Sequence, residues 1–143
     1  MELDRYRPGY LLYTDLDALI TSGETTTHLV AGSSSQIGYR EGVGAEARFH
    51  TITGFIQISE KLIVVADLWN SCMRLIDRAT NKTSVFSGLC QTGGYQDGRP
   101  GQFSQPHSAV IDKRDKNQLF ITDYANKAVR AVDVKYVWYV CEV

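Results

Sequence analysis

FHTITGFIQISEKLIVVADLWNSCMRLIDRATNKTSVFSGLCQTGGYQDG, residues 49–98, and FSQPHSAVIDKRDKNQLFITDYANKAVRAVDVKYVWYVCEV, residues 103–143, are two copies of one pattern. Each opens on Phe, runs through a hydrophobic segment ending in Asp, and places Asn three residues and Arg seven residues after that Asp. Asp67 and Asp123, Asn70 and Asn126, Arg74 and Arg130, and Asp77 and Asp133 all lie 56 residues apart. The linkers recur at the same spacing, as GYREG at 38–42 and GYQDG at 94–98. An internal period of this length belongs to propellers and other stacked arrays, in which one unit buries its apolar face against the next.

Short runs of Ile, Val, Leu, Phe and Thr between turn formers predict strands. In the first copy they fall at about 53–58, 62–66, 72–77 and 83–87, and in the second at about 107–112, 118–122, 127–132 and 135–140. Upstream, YLLYT at 10–14 followed by Asp15 resembles the endings at Asp67 and Asp123, with further strands at 18–21 and 26–31. Position 18 is Ala where the copies have Asn, so this unit is degenerate, and its opening strand is expected to be missing. The stretch from Gly32 to Phe49 reads as a loop. No segment carries a helical apolar stripe between caps. Four antiparallel strands per unit with a Gly-rich link describe a propeller blade. The expectation is an all-β, open arc of two full four-stranded blades plus one partial blade, a partial propeller or a fragment of one.

At these residues the chain resembles the NHL-repeat family of propellers over about residues 10–133: an opening Phe, Pro106 before a first strand (Ile52 in the earlier copy), a strand ending in Asp, then Asn and Arg. The resemblance implies one propeller segment over 1–143, with a partial blade at 10–32 and blades at 49–90 and 103–141. Family rings usually close with about six blades. The remaining blades are therefore expected either in cis, on a longer protein, or in trans from a second copy.

Composition narrows the functions. With 43% hydrophobic and 22% charged residues the chain is of globular type. Fifteen basic against sixteen acidic residues leave a net charge of −1, which offers no global field for nucleic acid. No apolar run is long enough for a membrane helix, and Met1 is followed by a charged segment, so no signal peptide is read here.

The repeated Asp15, Asp67, Asn70, Arg74, Asp123, Asn126 and Arg130 are expected to be structural. A carboxylate at a strand end can accept N–H groups of the following turn, Asn tolerates a left-handed turn position, and Arg one strand over can pair with the carboxylate. The competing reading takes the Asp and Asn oxygens as metal ligands. No metal or cofactor is expected.

With a hairpin turn at 79–82, Cys72 and Cys90 fall opposite each other across neighbouring strands, within bridging range; the alternative is two reduced thiols. Asn81-Lys82-Thr83 at that turn is a glycosylation sequon. Together they tilt the setting toward extracellular. Cys141 has no counterpart.

His28, His50 and His107 occupy non-equivalent positions and form no ligand set, and no catalytic fingerprint is present. The reading is a non-catalytic module for a protein or glycan partner, with Arg40, Trp69, Arg99, His107 and Tyr124 as its binding residues, because aromatic and Arg side chains in variable loops are good anchors. The resemblance also admits a fragment of a metal-dependent propeller lyase or hydrolase and, least favoured by the charge, an RNA-binding propeller.

Overall fold

A computed structural model describes residues 1–137. The described residues are all-β, forming three antiparallel sheets in chain order and two single 3-10 turns. The first sheet holds β1 (Glu2–Leu3), β2 (Leu11–Asp15), β3 (Ala18–Ser22) and β4 (Thr27–Gly32). The central sheet holds β5 (Gly42–Val43), β6 (Ile52–Gln57), β7 (Leu62–Asp67), β8 (Cys72–Asp77) and β9 (Lys82–Ser87), in the order β5-β9-β8-β7-β6. The third holds β10 (Pro106–Ile111), β11 (Gln118–Asp123) and β12 (Ala128–Asp133). Among the described residues, no sheet closes on itself.

Strand β7 explains the stacking. All six of its residues are buried, as its unbroken apolar run requires. Side chains alternate across a strand, so Ile63 and Val65 join one core while Leu62, Val64 and Ala66 join the other. The first core is closed by Leu12, Leu19 and Val30 of the first sheet and by Phe49; the second by Ala109, Leu119 and Ile121 of the third sheet and by Phe103. The outer sheets each keep one face without a neighbour among the described residues, leaving Leu29 exposed on one and Val110 and Val129 on the other.

Three expectations are corrected. The opening strand of the first unit is present, because β1 pairs with β2 through Glu2↔Leu12 and Leu3↔Leu11. It is held from outside its sheet: Asp4 is buried and takes a hydrogen bond from Arg78 Nη1 at 3.0 Å. Gln57 Nε2 donates to the same carboxylate, and Arg5 N donates to Gln57 Oε1.

The loop between Gly32 and Phe49 contains β5 and a 3-10 turn over Gly44–Glu46. Gly42 and Val43 pair with Thr83 and Lys82, and Gly44 N donates to Asn81 O, which occupies part of the otherwise bare outer edge of β9.

The strand expected at 135–140 begins as a 3-10 turn over Val134–Val137. Lys135 N donates to Asp133 Oδ1, and Val134 N reaches back to Asn117 O and buries its side chain in the second core, which bends the chain off the β12 direction. The rest of that strand, and Cys141, lie outside the described residues.

Candidate binding site

The repeated polar residues form a latch. Asp67 ends β7 with its carboxylate fully buried. Its Oδ1 accepts His50 N at 2.8 Å, and its Oδ2 accepts Asn70 Nδ2 at 2.9 Å and Arg74 Nη1 at 3.0 Å. Asn70 passes its other hydrogen to Gly38 O, while Arg74 grips Arg40 O and Arg48 O. The guanidinium lies 4.8 Å from the Tyr39 ring centre and 5.2 Å from that of Phe49. Burial pushes the Asp67 carboxyl up, against the pull of Asn70, the His50 N–H and Arg74.

The third sheet repeats this. Asp123 accepts Ser104 N, Asn126 and Arg130; Asn126 donates to Gly94 O; and Arg130 donates to Gln96 O and Gln102 O beneath Tyr95 and Phe103. Burial alone would weaken Arg130, but Asp97 and Asp123 outweigh it and raise its basicity. Each latch therefore ties the linker arriving from the preceding sheet to the end of the next sheet.

The partners differ from the sequence expectation. The N–H groups that reach Asp67 and Asp123 come from the segments just before β6 and β10, 17 and 19 residues upstream, not from the turn that follows. The left-handed positions are Ser71 (φ 56°) and Lys127 (φ 53°), one residue past each Asn. Asp15 takes no part: it is exposed at the end of β2, and Asp17, buried in the next turn, instead accepts Thr51 N at 2.6 Å.

Cys72 and Cys90 form a disulfide with Cα atoms 5.0 Å apart, but not as ladder partners. A bulge shifts the pairing from Arg74↔Val85 to Met73↔Ser87, so the next step opposite Cys72 is Gly88. Gly88, at φ 95°, turns the chain, and Gln91 N is caught by Asn70 O, which brings Cys90 back over β8. Asn81, at φ 57°, stands at the tip of the β8–β9 hairpin.

Above the latches, the residues that differ between copies meet. Leu68, Trp69, Gln105, His107, Thr122 and Tyr124 line an open depression of about 550 Å³ at the seam of the central and third sheets. Trp69 is 53% and Tyr124 68% exposed. Their backbones are fixed: Trp69 N donates to His50 O and Tyr124 N to Gln105 O. Each ring also has an imidazole beside it, His50 at 6.2 Å from Trp69 and His107 at 6.3 Å from Tyr124.

Of the five expected binding residues, the depression thus gathers Trp69, His107 and Tyr124. Arg40 lies on the latched linker with its carbonyl taken by Arg74, and Arg99 sits in the second linker before Pro100; neither lines the depression. Sequence reading missed Gln105 and Thr122, whose signal was their closeness to His107 and Tyr124, and His50, which looked like a linker residue.

No family model matches the chain, and no curated protein matches it. Solved structures do. An auxiliary nutrient binding protein from Bacteroides thetaiotaomicron superposes with a TM-score of 0.75 at 22% identity, over 88% of this chain and 35% of its own. An auxiliary nutrient binding protein from Bacteroides ovatus gives 0.74 at 20% identity, over the same shares. A protein of unknown function from Bacteroides thetaiotaomicron gives 0.75 at 20% identity, over 87% of this chain and 32% of its own. The likeness is one of fold. The chain spans about a third of the length of the solved proteins it matches.

Proposed function

We propose that the chain is a segment of an NHL-type β-propeller that serves as a non-catalytic binding module of an extracellular or periplasmic protein, with Trp69, His107 and Tyr124 as its ligand-contacting residues. The observation that carries this is the division of labour at one end of the sheets. The recurring Asp, Asn and Arg side chains spend their hydrogen bonds on one another and on the linkers, while non-repeating aromatic residues stand exposed in the same turns. Exposed aromatics on a rigid base are good binding anchors.

The stacking supports the propeller reading, since the central sheet is covered on both faces by its neighbours and each outer sheet keeps one face without a neighbour among the described residues. Further blades, in cis or from a second copy, would occupy those faces. The disulfide and the Asn81 sequon support an oxidising setting. The names of two solved neighbours, auxiliary nutrient binding proteins, fit a binding role.

The test is a screen of the 143-residue protein against protein and glycan arrays beside generic hydrolase and lyase assays. Saturable binding removed by Trp69→Ala, without turnover, is expected. Turnover abolished by a chelator would replace this reading with the metal-dependent enzyme.

A further inference from the structure

We propose that the depression at Trp69, His107 and Tyr124 binds an uncharged oligosaccharide; this deepens the binding reading above and rests on it. The lining decides the chemistry. Two exposed aromatic rings offer flat apolar surfaces, and beside them the Gln105 amide and the His107 imidazole supply both donors and acceptors, while the Thr122 hydroxyl, which donates to Ser108 O and accepts from Ser108 N, keeps one lone pair as an acceptor. A pyranose has this combination, an apolar face of C–H groups ringed by hydroxyls that both donate and accept. A few placed polar groups on an apolar floor are the usual make-up of a small-molecule site.

Among the described residues, no Asp, Glu, Lys or Arg lines the depression. A ligand bearing carboxylate, sulfate or phosphate would lose water there without gaining a countercharge, which is costly. The buried charges at the ends of β7 and β11 are committed to each other, Asp67 with Arg74 and Asp123 with Arg130.

A peptide that added as a strand would need a free strand edge or unpaired backbone groups. At this end those groups are taken: Leu68 and Trp69 N–H go to Thr51 and His50 carbonyls, and Tyr124 and Ala125 N–H to those of Gln105 and Ser104. The same four bonds hold the backbone beneath both rings in the free protein, so less ordering is left for the ligand to impose.

The experiment is a titration series on the whole 143-residue chain. Neutral homo-oligosaccharides of hexoses, pentoses and N-acetylhexosamines form one set; uronic acid and sulfated oligosaccharides a second; proline-rich peptides a third. Binding is read by calorimetry and by Trp fluorescence.

The expected result is saturable binding within the neutral set, weakened about tenfold or more by Trp69→Ala and by Tyr124→Ala, largely kept by Trp69→Phe, and with melting temperatures unchanged. Trp69-dependent binding confined to charged oligosaccharides or to peptides would overturn the ligand class while leaving the binding surface standing. Binding indifferent to both Trp69→Ala and Tyr124→Ala, or no binding in any set by the folded chain, would overturn both.

Discussion

Arg74 Nη1 lies 3.0 Å from Asp67 Oδ2, and both side chains are fully buried. The pair closes the latch that fastens a linker to the central sheet, and Arg130 with Asp123 repeats it at 2.9 Å. Removing one partner of a buried pair leaves the other charge without compensation, at a cost of about 3–5 kcal/mol. Asp67→Ala is therefore expected to lose stability of that order in urea denaturation. Asp15→Ala, at the matching strand end but exposed, should stay within about 0.5 kcal/mol of the parent.

Acid should loosen the N-terminal strand. Burial by itself would raise the Asp4 carboxyl, but Arg78, the Tyr6 N–H and Gln57 outweigh it and hold it below its ordinary 3.8. A carboxyl lowered on folding contributes stability that is fully present above the unfolded value and is lost as pH falls through the folded one. The melting-temperature gap between the parent and Asp4→Asn should thus be constant from pH 5 to 7 and shrink below pH 3.8. A gap that widens on acidification would reverse the sign of the Asp4 contribution.

The disulfide closes a sequence separation of 18 residues. Cross-linking a loop of that size stabilises by about 3 kcal/mol through the unfolded chain. The double replacement Cys72→Ser, Cys90→Ser should lose about that much. In unreduced protein neither cysteine should take up alkylating reagent, which mass spectrometry reads directly.

Gly88 should resist substitution more than Gly98 does. Both have positive φ, 95° and 103°, but a Cβ on Gly88 would stand 2.7 Å from the Phe103 ring, whereas one on Gly98 would meet nothing within 4 Å. Gly98→Ala should cost only the backbone strain, about 1–2 kcal/mol. Gly88→Ala adds overpacking of about 1–3 kcal/mol, visible as a lower denaturation midpoint.

Much of this architecture was legible because it repeats. The unbroken apolar run at 62–66 is that of a strand buried on both faces, and ten of the expected strands fall within about one residue of those observed. What could not be read is what comes from distant segments. A buried carboxylate needs donors, but nothing local names His50 as the source for Asp67 or Arg78 as the partner of Asp4 across 74 residues. The register of Cys72 was off by two because a bulge and the turn at Gly88 are invisible to an even ladder count. Asp15 misled because its position matches the motif, while the buried carboxylate sits two residues on, at Asp17. At the surface, Trp69 and Tyr124 showed themselves as aromatics in variable loops, whereas Gln105 and Thr122 joined them only through the seam between two sheets.

Trp69 and Asn70 are neighbours in one turn with opposite roles in this account, so comparing them tests its centre most directly. Denaturation and ligand titration should be run side by side on Trp69→Ala and Asn70→Ala. Asn70→Ala breaks bonds to Asp67 and Gly38 and should lower stability by about 1–3 kcal/mol, with the affinity of the folded protein within about twofold of the parent. Trp69→Ala should leave stability within about 0.5 kcal/mol and remove binding. Stability lost at Trp69 with binding lost at Asn70 alone would contradict the division between frame and binding surface.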